Sequence, residues 1–281
     1  MAKSDYRLSD EQLSELLKLV GEADSVELKL TIPHAEQRTT ISALEIDPLD
    51  AQMRQVVFFD TPDLTLDKHG IVVRARRSQG KPDDSVVKLR PVAPDKISAD
   101  LRGDANFVVE VDAMPGGFVC SGSFKGAPVS TEVRQVLGGG KPVRKLFNKQ
   151  QRAFFATHAP KGLELDGLSA LGPITVLKVK FNPTGFGRRM VAELWFYPDG
   201  ERILELSTKC TPREAFQTVA EARAFLHDRG IEVSGEHQQT KTRTALEYFS
   251  AELTSAAAPE PETESAPVPP PEPAPEPAPT G

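Results

Sequence analysis

Cysteine is almost missing from this 281-residue chain: Cys120 and Cys210 stand alone, too few and too isolated for a disulfide framework or a zinc site. The five histidines show no ligand spacing. There is no basic surplus either, since 34 lysines and arginines against 40 acidic residues give a formal charge of −6 and a pI near 5.5, which argues against general nucleic-acid binding. No run approaches the ~20 apolar residues of a membrane helix, and the opening MAKSDYRLSDEQ has no apolar signal core. These absences predict reduced thiols and a soluble, cytoplasmic protein with neither membrane nor nucleic acid as partner. With 39% hydrophobic residues the chain can bury a sizeable core, so any local positive charge must be held within the fold.

What is present is alternation. In a strand, neighbouring side chains point to opposite faces, so in the block VFFDTPDLTLDKHGIVVRARR Arg74 and Arg76 share one face and Val73 and Ala75 the other. The pattern returns in SVELKLTI, where Ser25, Glu27, Lys29 and Thr31 oppose Val26, Leu28, Leu30 and Ile32. Lys88 and Arg90 oppose Val87 and Leu89; Glu110 and Asp112 oppose Val109, Val111 and Ala113; Lys178 and Lys180 oppose Leu177, Val179 and Phe181. RMVAELWFY groups Arg189 with Glu193, ILELSTK groups Glu205, Ser207 and Lys209, and Lys241 with Arg243 repeats the spacing. A one-sided antiparallel sheet in water is the commoner cause of alternation. Here, however, the polar faces are mostly fully charged and segregated, cationic in some strands and acidic in others. That segregation points to convergence on one ligand, and closing the sheet would achieve it. The expected fold is α+β: a closed antiparallel β-barrel tunnel of about eight strands, wide enough for a small polar ligand, with helices packed outside its apolar face.

Helix signals flank the strands. Ser9 can cap a helix over 10–20 that Gln12 completes as a capping box and Gly21 ends, with Leu13, Leu16, Leu17 and Val20 as the stripe that covers the barrel. Thr211, Pro212 and Glu214 open another, with Ala215, Val219, Ala222 and Leu226 on one face and Gly230 as the stop. A short helix is read from Thr131 to Leu137, MPGGF and SFKGAP are read as loops, and KQQRAFF is ambiguous because Lys149 and Arg152 do not share a strand face. The predicted organisation is an N-terminal helix over 1–22, a barrel domain over 23–250, and a disordered Pro/Glu/Ala-rich tail over 254–281, partly polyproline II. GGGKP at 138–142 fails as a P-loop, since neither Gln135 nor Pro142 has the required identity. His69 reads as a turn residue, Cys210 as a small core residue, and Trp195 as either a tunnel-lining or a core side chain.

At these residues the chain resembles the CYTH superfamily, the triphosphate tunnel metalloenzymes. The resemblance rests on the near-miss to the opening ExExK strand at Ser25, Glu27 and Lys29, the FDTPDLTL segment over 59–66 with Gly70 and the RxR strand, Lys88, the Glu110/Asp112 pair, Glu205 with Lys209, and Lys241. It implies that Lys29, Arg74, Arg76, Lys88, Lys178, Lys180, Arg189, Lys209 and Lys241 hold the phosphates of a small triphosphate or polyphosphate. Arginine does so through its planar fork and lysine as a mobile point charge. It also implies that Glu27, Glu110, Asp112, Glu193 and Glu205 hold Mg2+ or Mn2+, which prefer hard oxygen ligands, with Glu27, Glu193 and Glu205 carrying the catalysis. The chain departs from the pattern at Ser25 and Ser207, where the family has glutamates. Each exchange removes a charge that would offset metal desolvation. Three activities follow from the resemblance: metal-dependent hydrolysis of a small triphosphate, binding of polyphosphate or nucleotide in a degenerate tunnel without efficient turnover, or an adenylyl cyclase of the class IV type.

Overall fold

The computed structural model describes residues 9–128, 132–233 and 241–256. Thr131, the Gln12 side chain and the expected tail beyond 256 lie outside them. Nine strands run in chain order: β1 Ser25–Ile32, β2 Gln52–Asp60, β3 Ile71–Ser78, β4 Lys81–Leu89, β5 Phe107–Met114, β6 Gly117–Gly126, β7 Ser169–Phe181, β8 Met190–Phe196 and β9 Arg202–Cys210. The helices are α1 Asp10–Gly21, α2 Gln37–Ala43, α3 Thr65–Lys68, α4 Ala99–Gly103, α5 Glu132–Leu137, α6 Lys149–His158, α7 Ala215–Asp228 and α8 Lys241–Ala256.

The strands close into one barrel in the order β1-β5-β6-β4-β3-β2-β7-β8-β9. Eight neighbour pairs are antiparallel, but β1 lies parallel to β5, with Ser25 opposite Glu110 and Glu27 opposite Asp112. The barrel is therefore mixed and nine-stranded, not antiparallel and about eight-stranded. Part of the difference lies in β6, GFVCSGSFKG, whose glycines and serines read as loop. Those small residues answer packing demands: a Cβ on Gly122 would come within 2.8 Å of the Phe107 ring, and one on Gly126 would collide with the Gln151 amide. Gln151 itself is fully buried on α6, donating to the carbonyls of Ser85 and Phe124 and so tying the helix to β4 and β6.

Away from the end that α8 fills, the interior parity is the charged one, and the outward parity carries two apolar layers under the helices. Leu16, Leu19 and Val20 of α1, Leu66, Val133, Val136, Phe154 and Phe155 cover the β1–β6 side. Leu13 and Leu17, expected in the same stripe, are exposed, because only one flank of α1 touches the barrel. On the other side Ala222, Phe225 and Leu226 of α7 are buried, while Val219 is exposed and Phe225 takes the place expected of it. The Thr211–Glu214 capping box is formed, and Gly230 ends α7 at φ 71°. The ambiguous KQQRAFF segment is helix α6, opened by an Asn148–Gln151 capping box.

The FDTP block proves to be a folding device. Asp60, buried at the end of β2, accepts hydrogen bonds from the backbone N–H groups of Thr61, Leu66 and Asp67, which coils the chain into α3. Burial pushes its carboxyl up, and those three donors oppose the rise. His69 caps the turn, its Nδ1 2.7 Å from the Thr65 carbonyl. Gly70 follows at φ 70°, and a Cβ there would meet the Arg90 carbonyl oxygen at 2.7 Å.

One helix does not pack outside. Lys241 and Arg243, expected on a strand, begin α8, whose Ala245, Leu246 and Phe249 are buried against inward-facing Val56, Phe58, Ile174, Val176, Trp195 and Ile203. The helix thus plugs one end of the barrel. Since i and i+2 diverge on a helix, Lys241 turns into the barrel whereas Arg243 stays exposed beside Glu247. The helix also runs through 254–256, where the tail was expected to begin.

Candidate functional site

Charge inside the barrel is sorted into three groups by strand register. On the β2–β3–β4 wall, Arg54, Arg74 and Arg76 face inward with Asp84 as the one carboxylate among them. Arg76 Nε donates to Asp84 at 2.7 Å, and Arg54 donates to the Gln52 amide oxygen at 2.9 and 3.2 Å. Among the described residues Arg74 has no carboxylate within ion-pair distance, and its Nε is buried with no hydrogen-bond partner. Burial, and then the neighbouring Arg76 cation, depress its guanidinium to about 10. Three guanidiniums against one carboxylate leave this wall with surplus positive charge. The sequence reading missed Arg54 because the residues that follow it, VVFF, are apolar on both parities.

The second group surrounds the buried Asp112. Lys29 Nζ lies 2.9 Å from its Oδ1, while Lys88 and Arg90 approach Oδ2 at 3.7 and 3.9 Å. Glu27 also pairs with Lys29, at 3.4 Å. Burial works to raise the Asp112 carboxyl, but Lys29 and Lys88 outweigh it and hold the group at about 2. Burial works to lower Lys29, and Glu27 and Asp112 raise it instead. For Lys88 burial prevails, only partly offset by Asp112, and its ammonium falls to about 8.

The third group sits under the plug. Glu193 on β8 lies directly opposite Glu205 on β9 and opposite Lys178 on β7. Like charges facing across a strand pair destabilise it, and here two ammoniums compensate. Lys178 Nζ donates to Glu193 Oε1 at 2.7 Å; Lys241 Nζ donates to Glu193 Oε2 and, at 2.7 Å, to Glu205 Oε1. Burial opposes ionisation of Glu193, yet Lys241 and Lys178 hold its carboxyl well below the usual range. Trp195 faces inward but is buried at the plugged end: its Nε1 is 3.4 Å from Glu193 Oε2, and Lys241 Nζ stands 5.1 Å from its ring centroid.

The remaining candidates lie toward the open end. Glu110 pairs with Lys209, which is half exposed. Lys180 is exposed, and so is Arg189, which precedes β8 instead of belonging to it. Lys81, Arg54, Arg189 and Arg76 add to burial in lowering the Lys180 ammonium, so positive charge gathers around it. Cys120 and Cys210 are buried thiols; burial pushes Cys120 up to about 11.

The five carboxylates expected to hold metal are dispersed over these groups, each against a lysine. Among the described residues no three His, Cys, Asp or Glu side chains are placed to share an ion. Ser207 is buried opposite Lys29 and Ser25 stands opposite Glu110, so a glutamate at either place would have added a charge to an acidic set that now lacks it. As placed, these carboxylates are met by lysines and are not grouped around an ion. No helix among those described is long and apolar enough to cross a membrane.

No family model and no curated protein matches the chain in sequence. Solved structures do match it in fold. A candidate adenylyl cyclase from Hippeastrum, described as having a dominant triphosphatase activity, aligns with a TM-score of 0.57 at 17% identity, over 79% of this chain and 95% of that one. A candidate adenylate cyclase from Bacillus halodurans aligns with a TM-score of 0.54 at 15% identity, over 79% and 97% of the two chains. With its closed barrel and inward charge, the chain has the CYTH-type tunnel fold.

Proposed function

We propose that this chain binds a small linear triphosphate or polyphosphate inside the barrel, gripped by the β2–β3–β4 wall. The observation that carries this reading is Arg74: a half-buried, inward-facing guanidinium whose buried Nε is unsatisfied and which, among the described residues, has no carboxylate partner. Keeping such a group buried is costly, and a polyanion that accepts its hydrogen bonds removes the cost. Arg76 and Arg54 stand on either side as further forks, Lys88 adds charge at depth, and the Lys180/Arg189 rim attracts anions to the mouth. Titration calorimetry with tripolyphosphate in chelator should give saturable, one-to-one binding; no heat under those conditions would refute the reading.

A second reading, hydrolysis of the bound triphosphate, draws on the fold likeness to the Hippeastrum protein. It requires a carboxylate to be released from its lysine before it can act as a base toward water. Phosphate release from tripolyphosphate, ATP and thiamine triphosphate, with and without Mg2+ or Mn2+, decides between binding alone and turnover. The cyclase reading has only the candidate cyclases of the same fold behind it.

Binding should be pH-dependent. The Lys88 ammonium is present below about pH 8 and lost above it, so tripolyphosphate affinity is expected to fall as pH rises from about 7 to 9. A bound polyanion favours the charged form, so binding near pH 8 should take up a proton, visible as a dependence of the calorimetric heat on buffer ionisation enthalpy. An affinity constant across that range would remove Lys88 from the grip.

A further inference from the structure

We infer that Lys241 is a resident cation that closes the Glu193–Glu205 pair to divalent ions, so that the acidic side of this tunnel is neutralised by the protein's own plug helix and not by a metal. The inference concerns the acidic pair alone and holds whether or not triphosphate is the ligand.

Three observations converge on it. The first is register: β8 and β9 place Glu193 and Glu205 directly opposite each other on the inner face, a juxtaposition that needs a positive charge between the two groups. The second is occupancy, since the Lys241 ammonium bridges Glu193 Oε2 and Glu205 Oε1 while Lys178 takes Glu193 Oε1. A magnesium or manganese ion would take carboxylate oxygens at about 2.0–2.2 Å, and it would have to do so where the ammonium already stands. Two carboxylates and two ammoniums are already balanced; a divalent ion added to them would leave two uncompensated positive charges in a buried group.

The third observation is anchorage. Lys241 is the first residue of α8, and its carbonyl accepts a hydrogen bond from the Tyr197 hydroxyl at 3.0 Å. Over the next two turns Ala245, Leu246 and Phe249 are buried in the plug. Trp195 lies under the ammonium and favours a cation there. The charge cannot leave without either unpairing a buried lysine or withdrawing the helix.

The test is Mn2+ uptake, read from the loss of the free-ion electron paramagnetic resonance signal, in the full-length wild type, Glu193→Gln and Lys241→Ala. Wild type and Glu193→Gln should leave the same amount of Mn2+ free. Lys241→Ala should gain one site at least tenfold tighter than anything in the wild type, and the double variant Lys241→Ala/Glu193→Gln should lose it. A wild-type Mn2+ site that disappears in Glu193→Gln would overturn the inference, as would a folded Lys241→Ala that gains none. If Lys241→Ala does not fold, the comparison of wild type with Glu193→Gln still decides the matter.

Discussion

Replacing Arg74 by methionine is expected to lower tripolyphosphate affinity about a hundredfold while making the empty protein more stable by about 1–2 kcal/mol. The two effects share one cause. In the empty barrel the Arg74 guanidinium is half-buried beside Arg76 with its Nε buried and unsatisfied, and a buried donor without a partner costs about 1–3 kcal/mol. Methionine fills much of the same volume and removes that cost. In the complex the guanidinium donates charge-assisted hydrogen bonds to phosphate oxygens, each contributing about 1.5–3 kcal/mol, and about 2.7 kcal/mol corresponds to a factor of one hundred. Calorimetry reads the affinity and thermal or denaturant unfolding the stability. A variant that loses both would show that Arg74 supports the fold; one that binds as wild type would place the anion elsewhere.

The largest stability loss is expected at Asp112. Its carboxylate is buried, and Lys29, Lys88 and Arg90 converge on it. Removing one partner of a buried ion pair leaves uncompensated charge and typically costs about 3–5 kcal/mol. Asp112→Asn should therefore lower the unfolding free energy by that order, read as a lower denaturant midpoint with little change in the m-value. The sign of the pH dependence follows from the depressed carboxyl: Lys29 and Lys88 hold it at about 2, below the ordinary aspartate range, so its contribution is present at neutral pH and is lost only as pH falls toward about 2. Acid unfolding of the wild type should respond there, and Asp112→Asn should lack that component. Tripolyphosphate should restore part of the lost stability of the variant, because a polyanion can neutralise the stranded cations; absence of rescue would separate the Asp112 cluster from the binding wall.

Both predictions rest on residues legible in the sequence, though legible to different depths. Arg74, Arg76, Lys88, Glu110, Asp112, Lys178, Glu193 and Glu205 all stand on the inner face expected from alternation, since strand parity is a local property that survives any closure of the sheet. Alternation failed where the interior is apolar. At the plugged end Val56, Phe58, Trp195 and Ile203 face inward as hydrophobes, so β2 reads as apolar on both faces and Arg54 disappears from view. It failed also at β6, where glycine and serine accommodate Phe107 and Gln151 from elsewhere in the chain, and at Lys241, where i, i+2 spacing imitates a strand in what is the first turn of a helix.

The sequence by itself determined which side chains can share a face and that charge of both signs would be gathered inside. Those follow from chain-local geometry and residue chemistry. Only the tertiary structure decided who meets whom: that β1 runs parallel to β5 and brings Glu27 to Asp112, that the Arg74 Nε finds no hydrogen-bond partner among the described residues, and that α8 turns back into the barrel and sets Lys241 between two opposed glutamates. Such pairings depend on strand order and on the docking of a helix far along the chain. Ion pairing falls off over a few ångströms, so the same charged residues can be a metal site, a neutral cluster or an anion grip according to contacts that no local pattern specifies.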